Sequence, residues 1–182
     1  ADFISCSVDN YVFKYDMLRN LKDGGTFLLN TSFSKDEVAN YLPNRVKKQL
    51  AEKHAKLYII DATKLAEECH MGRHTNTILQ SAFFALNQNI LPLDEAIRLM
   101  KEAAKKSYGS KGDAIVESNY QAIDAGKDKM VEVEVDPAWA DLEVNAMHAP
   151  TGDDYFDNYV TPIDGLTGDD LPTSAFLDKL DG

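Results

Sequence analysis

Thr26-Phe27-Leu28-Leu29-Asn30 and Leu57-Tyr58-Ile59-Ile60-Asp61 decide the fold. Each is a short apolar run without polar alternation that stops at a polar residue, the pattern of a strand buried on both faces. Such strands belong to parallel sheets covered by helices, and the residues between these two supply the crossover. Ser34-Lys35-Asp36-Glu37 is a capping box, in which the Ser hydroxyl and Glu carboxylate satisfy free backbone donors of a first helical turn. Pro43 suits the start of a further helix, residues 44–54. Upstream, Phe3-Ile4-Ser5-Cys6-Ser7-Val8 reads as another strand, ending at Asp9-Asn10. Val12, Tyr15, Leu18 and Leu21 recur at helical spacing, with Gly24-Gly25 as the stop. The expectation is an α/β fold, a short and mainly parallel sheet with crossover helices. Ligands of such sheets bind beyond the carboxyl ends of the strands, so Asn10, Asn30 and Asp61 mark the edge to search.

After Asp61 the pattern turns helical: Thr63 to Cys69, Thr75 to Asn89, Leu93 to Tyr108 and Asp113 to Ala125, punctuated by Gly72, Gly109 and Gly126, with Pro92 as a start residue. This predicts a helical cluster capping the sheet. Phe83-Phe84 with Ile78, Leu79 and Leu86 predicts one core-facing helix face. Lys129 to Val135 alternates as an edge strand or as a surface extension pairing elsewhere. From Asp136 onward turn pairs accumulate, while Trp139, Tyr155, Phe156, Tyr159, Val160 and Phe176 supply apolar anchors. That combination predicts an extended acidic C-terminal arm lying on another surface. The expected organisation is therefore an α/β domain over residues 1–131 followed by an arm over residues 132–182.

The chain has 182 residues, 44% of them apolar, enough for one core. There is no eighteen-residue apolar run and no basic, apolar, cleavable leader, so the chain reads as a cytoplasmic protein that neither enters a membrane nor is exported. Cys6 and Cys69 lack any CxxC partner and read as buried thiols of a reducing compartment. Residues 1–131 carry 18 Lys and Arg against 17 Asp and Glu, whereas residues 132–182 carry one Lys against 13 acids. An acidic tail repels phosphates and no basic stripe offsets it, which excludes nucleic acid as a partner.

The densest polar constellation runs from Glu67 to Thr77, at a turn opening a helix. Arg73 and His74 beside a helix amino terminus make an anion site for phosphate or carboxylate. The alternative is that Thr75 or Asn76 simply caps the helix while Arg73 stays solvated. Cys69, His70 and His74 do not form a metal-binding pattern, and nothing orients a Cys/His nucleophile, so no catalytic residue or metal ligand is assigned. Neither Gly24-Gly25 nor Gly109-Ser110-Lys111-Gly112 fits a nucleotide fingerprint. The turn Tyr108 to Asp113 still offers Lys111 and a helix start for a phosphate contact, or is a plain connector. Lys101, Lys105 and Lys106 read as a solvated helix face.

Gly72-Arg73-His74-Thr75-Asn76-Thr77-Ile78-Leu79-Gln80-Ser81-Ala82-Phe83-Phe84 resembles the GR-x-x-N-T-x-x-Q-x-A-F-F stretch of the pyruvate:ferredoxin (flavodoxin) oxidoreductase family. The same region of that family is similar, in order, at residues 1–10, 21–26, 29–30, 108–112 and 168–176. The resemblance implies most of a gamma-type domain, incomplete at its glycine-rich opening, plus a linker toward an iron–sulfur region. It also implies a larger enzyme that decarboxylates pyruvate on thiamine diphosphate, passes electrons through 4Fe–4S clusters to ferredoxin or flavodoxin, and delivers acetyl to coenzyme A. On this footing Arg73, Asn76 and Gln80 become candidate contacts to coenzyme A or a neighbouring domain, with Lys111 and Asn119 as further ones. The implied partners are the remaining domains of the same enzyme, in a homodimer, with the thiamine diphosphate and clusters held outside this chain. The competing readings are an independent binding domain for a phosphorylated small ligand, and a structural scaffold.

Overall fold

A computed structural model describes residues 1–144. Four strands form one sheet in the order β1 (Phe3–Cys6), β2 (Thr26–Asn30), β3 (Lys56–Ile60) and β4 (Val131–Val133). β1, β2 and β3 run parallel, with Leu28 opposite Ser5 and Tyr58, whereas β4 pairs antiparallel with β3 and places Val133 opposite Leu57. Lys129 to Val135 therefore supplies an edge strand of the same sheet. Strand pleating sends alternate side chains to opposite faces, so Phe27 and Leu29 enter one core and Leu28 the other.

The first face is covered by α1 (Tyr11–Lys14), α2 (Lys35–Tyr41) and α3 (Asn44–Glu52), through Val12, Val38, Val46 and Leu50. The capping box forms as expected: the Ser34 hydroxyl accepts from the Glu37 N–H, and the Glu37 carboxylate accepts from the Ser34 N–H at 3.1 Å. The short 3₁₀ turn Pro137–Asp141 also lies here, with Trp139 on this core and the Lys47 ammonium 5.7 Å from its ring centroid. Residues 145–182 of the expected acidic arm, with Tyr155, Phe156, Tyr159, Val160 and Phe176, lie outside the described residues.

The helix expected from Val12 to Leu21 is only the single turn of α1. Tyr15 is extended, and turns carry Leu18 and Leu21 into the core. The cause is non-local. Arg45 of α3 donates to the carbonyls of Val12 and Tyr15, and the Lys53 ammonium donates to those of Leu18, Arg19 and Leu21 at 2.5, 2.7 and 2.9 Å. Backbone acceptors that a helix would satisfy internally are taken by cationic side chains instead. Gly24, with φ +71°, closes a turn into β2 and donates its N–H to the Lys53 carbonyl.

The second face is covered by α4 (Ala62–Glu68), α5 (Asn76–Leu86) and α7 (Asp113–Asp128), with α6 (Leu93–Tyr108) packed outside them. Gly126 does not end a helix. It lies inside α7 where that helix crosses α5, and a Cβ there would sit 2.2 Å from the Ile78 carbonyl oxygen. The crossing is close because small residues line it, and the Ser81 hydroxyl donates across it to the Ile123 carbonyl. The Phe83-Phe84 pair divides. Phe83 meets Phe3 edge to face at 5.2 Å, whereas Phe84 turns toward a cleft between helices.

Candidate functional site

Two concavities among the described residues bear on the residues marked from the sequence. The first is a crevice of about 510 Å³ at the carboxyl edge of the sheet, between the loops leaving β1, β2 and β3. Asn30 and Asp61 line it, as the strand-end argument expects; Asn10 instead precedes α1 and is not among the lining residues. Asn30 is buried and spans the strand ends, donating from Nδ2 to the Ser7 carbonyl at 3.1 Å and accepting at Oδ1 from the Ala62 N–H at 2.9 Å. Asp61 caps α4 by accepting from the Lys64 N–H. Thr31 donates to the Asp9 carboxylate at 2.9 Å. Burial pushes the Tyr41 hydroxyl up from its ordinary pKa, and the Asp9 carboxylate beside it adds to the shift. Asn30, Thr31, Asp9 and Asp61 of this crevice are thus already paired.

The second concavity is a cleft of about 340 Å³ between α5, α6 and α7. Its walls are mainly apolar, from Phe84, Leu91, Leu99, Met100 and Ile123, with Gln80 and Asn119 as the carboxamides among them. Helical spacing explains the first: Thr77, Gln80 and Phe84 follow at three and four residues along α5 and share one face. Asn119 comes from α7 and is only 4% exposed. Its Nδ2 donates to the Ile115 carbonyl one turn earlier at 2.8 Å, while among the described residues its Oδ1 accepts no hydrogen bond. Tyr108 lines the same cleft, and the Lys111 ammonium lies 5.5 Å from its ring centroid.

Of the five residues singled out from the sequence, Gln80 and Asn119 thus share one cleft and Lys111 sits on a residue that lines it. Arg73 and Asn76 are exposed and are not among the lining residues. Arg73 occupies the turn between α4 and α5, which bends through left-handed φ at His70 (+58°) and Gly72 (+61°). Asn76 is the first residue of α5, one turn before Gln80, and Thr75 makes no side-chain cap. Thr77, Ser107 and Tyr108 also line the cleft; Thr77 and Tyr108 fall in stretches marked from the sequence without being singled out as contacts, and Ser107 belongs to no marked pattern.

Cys6 and Cys69 are buried, and burial pushes both thiols up from their ordinary pKa. Two cysteines cannot furnish the four thiolates of a 4Fe–4S cluster, and the described residues contain no group of three His, Cys, Asp or Glu side chains able to hold a metal ion. Among the described residues no helix is long and apolar enough to cross a membrane.

Residues 1–129 match the family described as Pyruvate ferredoxin/flavodoxin oxidoreductase. The chain is 39% identical over 177 residues to a pyruvate:ferredoxin oxidoreductase of Moorella thermoacetica, a match covering 97% of this chain and 15% of that protein. It is 41% identical over 183 residues to a pyruvate-flavodoxin oxidoreductase of Klebsiella pneumoniae, covering 100% of this chain and 16% of that protein. The chain therefore spans about 15% of the length of these two relatives. In fold it is similar to the PORC subunit of pyruvate oxidoreductase from Thermotoga maritima, with a TM-score of 0.55 at 18% identity over 73% of this chain and 65% of that one. With the family matched over most of its length and an α/β sheet of the same kind, this chain belongs to the pyruvate ferredoxin/flavodoxin oxidoreductase family.

Proposed function

We propose that this chain helps position coenzyme A within an enzyme that oxidatively decarboxylates pyruvate and transfers the acetyl group to the coenzyme thiol. Thiamine diphosphate and 4Fe–4S clusters supply the decarboxylation and electron transfer in that enzyme, and parts outside this chain hold them. In this reading the remaining parts of the enzyme are the direct partners, in a cytoplasmic homodimer, and ferredoxin or flavodoxin takes the electrons. The task left to this chain is orientation, because holding a thiol near its acceptor replaces an improbable encounter with a prearranged one.

The observation that carries the reading is the exposed start of α5, where Arg73 and Asn76 flank a helix terminus without a side-chain cap. Free backbone donors and a guanidinium suit the phosphates of the coenzyme. Lys111 offers a second cation near Tyr108. Isothermal titration of coenzyme A into the full chain tests this. Arg73→Ala and Asn76→Ala are each expected to weaken binding about tenfold, roughly the loss of one charge-assisted hydrogen bond. Absence of heat at millimolar coenzyme would make the chain a scaffold.

A further inference from the structure

We infer that the cleft between α5, α6 and α7 is a binding site for an uncharged aliphatic chain bearing amide groups, with an amide N–H of that chain donating to Asn119 Oδ1. The inference rests on the coenzyme reading above, and within it the occupant is the pantetheine arm. The cleft has the composition of a small-molecule site: mostly apolar walls with a few fixed polar groups, in a volume of about 340 Å³ near the lower end of the usual range of roughly 300–1,000 Å³.

Asn119 gives the cleft its chemical preference. Asn119 is only 4% exposed as a residue, and its Nδ2 is held by the Ile115 carbonyl, which fixes the plane of the carboxamide. Its Oδ1 is left with its acceptor capacity free among the described residues. Among the described residues that oxygen is not one of the buried atoms left without a partner, so it keeps contact with solvent on the cleft side, and a ligand N–H there replaces a water as its donor. No ionised side chain lines the cleft, so its interior suits a neutral chain. Gln80 sits one helical turn beyond Asn76, so a ligand whose anionic end rests at the start of α5 has its neutral part directed along the same helix toward the cleft.

The test separates the two ends of the coenzyme. Pantetheine and 3′,5′-ADP are titrated separately into the full chain, and the methyl signals of Met100 and Ile123 are followed by NMR. Pantetheine is expected to shift both signals, with affinity falling at least tenfold in Asn119→Leu, while 3′,5′-ADP affinity stays within twofold. Ala103→Trp, which plugs the cleft from an exposed position, guards against misfolding of the Asn119 variant and is expected to give the same loss. Pantetheine binding that is unchanged by Ala103→Trp would overturn the cleft assignment. So would 3′,5′-ADP binding without any pantetheine binding, which leaves the coenzyme proposal standing. Failure of both compounds and of coenzyme A itself would overturn the coenzyme proposal and the cleft assignment together.

Discussion

The two faces of the sheet are built by different means. On the first, short helices and turns are stitched to the strands by long side chains reaching backbone carbonyls, as Arg45 and Lys53 do. On the second, longer helices approach one another through small residues, Ala62, Ala66, Ala82, Ala122 and Gly126, and few polar ties are needed. The stitched face keeps a hollow of about 420 Å³ between the end of α3 and the Pro137 turn. The face built from long helices buries α5 and α7 tightly at one crossing, and α6 then closes only part of the remaining groove, which leaves the cleft. The proposed cleft thereby lies on the side of the four strands away from the stitching.

Three substitutions test this contrast. The largest effect is expected at Gly126, where any side chain meets the Ile78 carbonyl. Gly126→Val should destabilise the chain by about 3 kcal/mol, the upper part of the range for overpacking, read as a lower midpoint in urea. A loss under about 1 kcal/mol would show that α5 and α7 can separate without penalty and that small residues do not govern this face. Lys53→Met should come next, at about 2 kcal/mol, since three carbonyls lose a charged donor while the apolar stem is kept. Unaltered stability there would mean that water replaces the ammonium at no cost, and the stitched face would need another explanation. The smallest effect is expected from Lys47→Ala, about 0.5–1 kcal/mol for a surface cation over an aromatic ring. Trp139 is the only tryptophan, so its emission should move to the red in that variant, and an unmoved spectrum would show that the ring stays packed without the cation.

The same contrast explains what could be read from the sequence. β2 and β3 were legible because strands covered on both faces need apolar residues at every position, and α6 runs over the expected Leu93–Tyr108 because its polarity repeats at helical spacing. The Ser34 capping box was legible because both its partners lie three residues apart. Residues 12–21 misled because Val12, Leu18 and Leu21 are all buried, as in a helix, but the donors that draw their backbone into turns stand some thirty residues away in α3 and just after it. Gly126 resembled a stop for the same reason, its requirement being set by Ile78 on another helix. Within the candidate site, Arg73, Asn76 and Gln80 share one contiguous stretch and so could be marked together. Their relation to Asn119 depends on how α7 crosses α5, which no local spacing encodes.

Asn30 has a consequence for how the sheet's carboxyl edge can move. One side chain at the end of β2 holds the loop after β1 through Ser7 and the loop after β3 through Ala62. Each loop is tied by its own hydrogen bond to the one carboxamide, so a rotation of Asn30 that frees one loop also disturbs the tie to the other. In hydrogen exchange the Ala62 amide should behave as a reporter for the β1 loop as well as its own, and the edge should open as a single hinge unit or stay shut.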